Sequence, residues 1–155
     1  SPVSGDVSFL DNSSPVSCVV GFVGTERPVV DLLPVRDYLM FGNKLCSSDG
    51  MNRHLKQFKL QEISSKNIED LSDGQFKKVA IIRQLMKEPK VLLLDEPSAY
   101  LDANNKSFLV EILRDLSKNV LVILSTHDVD FAKKVGDKLH VLQNKSLSEI
   151  EFASI

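Results

Sequence analysis

Lys90-Val-Leu-Leu-Leu-Asp-Glu-Pro97 is a run of four apolar residues that ends abruptly in two acids. It is strand length, and a strand apolar at every position is one buried on both faces. Upstream, Phe76, Val79, Ile82 or Arg83, and Met86 recur at helical spacing, and Pro89 closes that helix. Downstream, residues 104–118 form a second amphipathic helix through Phe108, Ile112 and Leu116, followed by another apolar strand, Asn119-Val-Leu-Val-Ile-Leu124. Buried strands alternating with amphipathic helices predict an α/β fold whose parallel sheet is covered by helices. In such sheets ligands gather at the carboxyl ends of the strands.

Those ends carry reactive side chains. Asp95 and Glu96 close the first strand, where ionised carboxylates cost several kcal/mol unless hydrogen bonds or a cation compensate. An acid for Mg²⁺ beside an acid for a water nucleophile suits phosphoryl transfer; a strand ending in solvated acids is the plain alternative. Ser125, Thr126, His127 and Asp128 close the second strand. There His127 has the chemistry to donate to a phosphate, or Thr126 or Asp128 simply caps the next helix. Leu71-Ser-Asp-Gly-Gln75 opens the helix before the first strand. Ser72 and Gln75 have capping-box spacing, and the same hydroxyl, glycine and helix start also suit an anion.

The remainder is less marked. Residues 1–42 read as short strands, Val7–Leu10 and Ser17–Val23, around a turn at Asn12–Pro15, then a short helix over Arg36–Phe41. Residues 43–70 are more polar, with Met51, Leu55 and Phe58 at helical spacing, and read as a small helical insertion. Asp128–Val135 is a short helix stopped by Gly136, and Leu139–Leu142 turns at Asn144-Lys145 into a final hairpin. Of 155 residues, 43% are hydrophobic and 26% charged, with net charge −2, so there is no basic field for nucleic acid or anionic lipid. No apolar run approaches the roughly 20 residues of a membrane span. Cys18 and Cys46 have no metal-ligand spacing and read as free thiols.

The order LSDGQ, then VLLLDEPS with Asp95 20 positions after Gln75, then AYLD, then STHD with His127 31 positions after Glu96, resembles the ATP-binding-cassette (ABC) ATPase family over residues 17–142. That resemblance implies a P-loop-NTPase-like parallel sheet with a helical subdomain inserted: core strands and Q-loop region in 1–42, helical subdomain with signature motif in 43–88, and Walker B, D-loop and switch histidine in 89–155. It implies ATP and Mg²⁺ as ligands. Leu71, Ser72, Asp73, Gly74 and Gln75 are then the signature motif, facing the γ-phosphate of ATP on an opposite subunit. Asp95 holds Mg²⁺ through water, Glu96 is the general base, Leu101 and Asp102 form the D-loop, and His127 senses the γ-phosphate. The implied partners are a transmembrane permease and a second, identical ATPase subunit, at the inner face of the cell membrane. VGTER, SAYLDANN and STHDVDFAKKVGDKLHVL further resemble ATPases that import iron complexes.

Three departures stand out. The chain has no G-x-x-x-x-G-K-[ST] and no Gly-Lys pair, so the phosphate-wrapping loop is missing. With Ser1 in place of Met, this reads as N-terminal truncation. Thr25 stands nearest the Q-loop glutamine position, with shorter reach. Asp73 replaces the first signature glycine, and a carboxylate about 4 Å from a phosphate repels it by about 1 kcal/mol in a wet site. Two other functions compete. One is a soluble ABC ATPase: the DNA-repair type is disfavoured by the 46 residues from Thr25 to Leu71, which lack heptads, while the translation type, with two cassettes on one chain, stays open. A non-catalytic half-cassette completing a partner's site has no need of Asp95, Glu96 and His127. Titration calorimetry of these 155 residues with Mg-ATP should show no binding tighter than millimolar; micromolar affinity would mean that the missing loop is dispensable.

Overall fold

The computed structural model describes residues 20–27, 32–43 and 47–151. The strand over Val7–Leu10, the turn at Asn12–Pro15 and both cysteines lie outside the described residues. In chain order the elements are β1 (Val20–Val23), α1 (Val35–Met40), α2 (Ser48–Gln57), two single 3-10 turns (Gln61–Ile63 and Ile68–Asp70), α3 (Asp73–Leu85), β2 (Val91–Asp95), α4 (Ala103–Leu116), β3 (Leu121–Ser125), α5 (Val129–Val135), β4 (Leu139–Gln143) and β5 (Ser146–Ile150).

β1, β2 and β3 form a parallel sheet in that order, and β4 and β5 a separate antiparallel hairpin. The hairpin turns at Asn144 and Lys145, both at positive φ (50° and 64°), as a tight two-residue turn requires. Register lines up Gly21 with Leu92 and Val122, and Phe22 with Leu93 and Ile123. The side chains therefore alternate between two faces in rows. Val23, Leu92 and Leu94 are buried in the core, joined by the partly buried Val122 and Leu124. The other face is open: Phe22 is 57% exposed, Leu121 60% and Ile123 52%. Full burial of the sheet, expected from its apolar strands, thus holds for one face among the described residues.

α3 packs on β1 and is the central helix, with Phe76, Val79, Ala80, Ile81, Ile82 and Leu85 buried. It starts at Ser72, whose hydroxyl accepts from Gln75 N while Gln75 Oε1 accepts from Ser72 N. Both arms of the capping box read from the sequence are present, a cap that contributes about 1 kcal/mol. Met51, Leu55, Phe58, Leu60, Ile63 and Ile68 are buried in the same hydrophobic cluster as the sheet. Backbone bonds from Val35 N to Lys66 O and from Ile68 N to Leu33 O tie the stretch around 64–68 to α1. The polar-looking insertion therefore packs continuously with the rest. Among the described residues no helix is long and apolar enough to cross a membrane.

Packing of α3 and β2 around β1 leaves little room at Gly21, where a Cβ would lie 3.0 Å from Gln84 Cβ and 3.2 Å from Leu92 Cδ1. Gly21→Ala should destabilise the fold by about 1–3 kcal/mol, as overpacking does, read as a lower urea midpoint. An unchanged midpoint would show that the helix moves away freely.

Candidate functional site

The parallel pairing of β2 with β3 places Asp95 opposite Ser125. Ser125 Oγ donates to Asp95 Oδ1 at 2.6 Å. One residue later the backbone turns: Glu96 has φ 44°, a left-handed conformation costing a non-glycine residue of order 1 kcal/mol, yet its N–H still bonds Ser125 O at 3.0 Å. That turn swings the Glu96 side chain towards the loop after β3. Its Oε1 accepts from His127 N (3.0 Å) and pairs with His127 Nδ1 (2.9 Å), and Oε2 accepts from Thr126 Oγ1 (3.3 Å). A carboxylate that only accepts is matched by the His127 tautomer with its proton on Nδ1. The ring is 84% exposed and Glu96 24%, which leaves His127 Nε2 available to a ligand.

This edge is braced from behind. Thr126 Oγ1 accepts from Asp128 N (3.1 Å) and lies 3.4 Å from the buried Ser98 Oγ. Asp128 caps α5 through Phe131 N (2.9 Å), as the capping alternative anticipated, and takes Lys106 Nζ at 2.6 Å. The Lys106 hydrogen bond first, and then that of Phe131 N–H, hold the Asp128 carboxyl below the usual range.

A second cluster surrounds the start of α3. Arg27, in the loop after β1, donates from Nη2 to Leu71 O (2.7 Å) and to Asp73 Oδ1 (3.1 Å), and its guanidinium lies 4.8 Å from the Phe76 ring centroid. Gly74 admits close approach of α4's first turn: a Cβ there would meet Asn105 Nδ2 at 3.2 Å and Leu101 Cδ2 at 3.3 Å. Asn105 bonds Asp102 through its N–H (2.8 Å) and Nδ2 (2.9 Å), and accepts from Lys78 Nζ (2.8 Å). Asp102 is thus the N-cap of α4, its carboxyl lowered chiefly by the Asn105 N–H. Thr25, Arg27, Asp73, Phe76, Lys77, Ala99 and Tyr100 line a small open cleft.

Glu96 and His127 are directly paired, and Asp95 lies beside them. Leu71–Gln75, Thr25 and Asp102 assemble separately; among the described residues no hydrogen bond or ion pair joins Ser72 or Asp73 to Glu96 or His127. Lys77 lies between the clusters. It is 8% exposed, its Nζ donates to Gly24 O at 3.2 Å, and burial lowers its pKa against the opposing pull of Asp95 and Glu96. Sequence reading missed Lys77, although a lysine one helical turn before Ile81 on a buried face was a usable signal. It also missed Asn105 as a brace, since an Asn in a helix's first turn is ordinarily solvated.

Among these groups Asp95 fits a Mg²⁺ site in its chemistry: a hard oxygen donor at a strand end, whose Oδ2 has no hydrogen-bond partner among the described residues. A parallel sheet flanked by helices, with acids at one edge, defines an α/β fold. The family model described as ABC transporter matches residues 6–99, more than half of the sequence. The chain belongs to the ABC transporter family. It is 32% identical, over 90% of its length, to an uncharacterized ABC transporter ATP-binding protein of Methanocaldococcus jannaschii, of which it covers 58%. It is 35% identical, over 76% of its length, to the spermidine/putrescine import ATP-binding protein PotA of Mesoplasma florum, of which it covers 36%. A solved structure assigned as a metal-chelate type ABC transporter in an inward-facing conformation shares the fold, with TM-score 0.78 and 24% identity over 88% of this chain and 60% of that one. The chain therefore spans less than two thirds of the length of each.

A depressed Asp128 stabilises the fold above about pH 4, the unfolded value, and loses that contribution as pH falls through its lower folded pKa. Lys106→Gln removes the largest cause. Lys106 and Asp128 are 38% and 23% exposed, so screening limits the loss at pH 7 to about 1 kcal/mol or less. In urea denaturation the difference from wild type should shrink towards zero near pH 2; a constant difference would assign Lys106 a packing role only.

Proposed function

We propose that the chain is part of the ATP-hydrolysing subunit of an ABC transporter, in which Glu96 activates the attacking water. The observation that carries this is the Glu96 carboxylate held at the sheet edge by His127 and Thr126. A general base must reach its water in a fixed orientation, and three donors on a neighbouring strand end supply that. Phosphoryl transfer depends on positioning and charge neutralisation more than on covalent chemistry. Asp95 would hold Mg²⁺ through water, and the bound ion would neutralise charge on the phosphates. His127, with Nδ1 committed to Glu96, couples the base to whatever meets its outward Nε2.

The separation of Leu71–Gln75 and Asp102 from Glu96 supports a site shared between two subunits, each giving its α3 start to the other's ATP. Residues 43–88 serve as the helical subdomain that meets a permease, on the cytoplasmic side of the membrane. Import of iron complexes rests on the motif combination; a relative named for spermidine and putrescine import matches as well.

In the intact protein, Glu96→Gln should lower steady-state ATP hydrolysis at least a hundredfold, the order of a general base's contribution, while ATP remains bound. Normal turnover by that variant would remove Glu96 from the role of base.

A further inference from the structure

Asp73 poses a problem for a turn that faces a phosphate, and the structure holds an answer in Arg27. As the first residue of α3, Asp73 suits the positive end of the helix. The same carboxylate repels an anion arriving at that end. Arg27 Nη2 meets Asp73 Oδ1 at 3.1 Å and Leu71 O at 2.7 Å, while its guanidinium covers Phe76. All three contacts fall on Leu71, two residues before α3, or on the helix's first turn. We infer that Arg27 is a positioning residue that neutralises Asp73 and fixes the loop bearing Thr25 against the start of α3, so that the turn presents no net negative charge to a phosphate.

Exposure decides between this role and ordinary stabilisation. The Asp73 side chain is 65% exposed and that of Arg27 33%, so the pair adds little to folding. What it changes is the charge of the turn. The loop is strapped at its other end too, where Lys77 Nζ bonds Gly24 O, so the segment from Gly24 to Arg27 is tied to α3 at both ends. Lys77 is the buried strap; Arg27 is the one whose charge reaches the surface of the turn.

This inference rests on the proposed ATPase function, in which the start of α3 faces a phosphate of ATP. The test uses the intact protein and compares wild type with Arg27→Ala, Arg27→Lys, Asp73→Gly and the double variant Arg27→Ala/Asp73→Gly. The Michaelis constant for ATP should follow the net charge of the turn. Arg27→Ala, at −1, should raise it about fivefold. Wild type and Arg27→Lys, both at zero, should agree within about twofold, and the double variant, also at zero, should fall well below Arg27→Ala. Asp73→Gly, at +1, should give the lowest value. The spread should narrow at high salt, and unfolding midpoints should differ little. A double variant as poor as Arg27→Ala, or an unchanged Michaelis constant in Arg27→Ala, overturns the inference while ATP turnover in wild type stands. Absence of turnover in the intact wild type overturns the ATPase reading, and this inference with it.

Discussion

Backbone pairing between the last residues of β2 and β3 is the constraint from which the site follows. Asp95 opposite Ser125 brings the two strand ends level, and the bond from Glu96 N to Ser125 O carries the ladder one step past the strand. Glu96 can take its left-handed turn because that bond, and the three donors on its carboxylate, compensate for the strain. Remove the register and Glu96, Thr126 and His127 no longer meet. The burial of Leu92 and Leu94 against α3 and its neighbours maintains the register, since a one-residue slip would turn those side chains onto the open face.

α3 links this edge to the second cluster. Its start is capped by its own Ser72 and Gln75, covered on one side by Arg27 and packed on the other by Leu101 and Asn105. One turn further on, Lys77 reaches the loop after β1 and feels the charges of Asp95 and Glu96. A shift of that loop therefore cannot leave α3 unaffected. In the proposed transporter subunit such a linkage would connect the loop carrying Thr25 with the turn at Leu71–Gln75.

Much of the fold was legible because its signals are local. Four apolar residues before Asp95, the S-x-x-Q spacing at Ser72 and the Asn144-Lys145 turn each state their own structure. The 43–70 stretch was harder to read: Ile63 and Ile68 look isolated among polar neighbours but are buried by contacts distant in sequence. The same holds for Arg27 and Asp73, which lie 46 residues apart. Nothing in either segment marks the other as its partner.

Residue type and spacing by themselves determined the alternation of strands and helices and the acids and histidine at two strand ends. Those properties depend on periodicity and local hydrogen bonding, which a linear chain displays directly. Tertiary structure alone decided that His127 engages Glu96 through Nδ1, that one face of the sheet is exposed among the described residues, and that Asp73 has a cation beside it. Each depends on side chains brought together by strand register and helix packing, distances that no segment of the sequence contains.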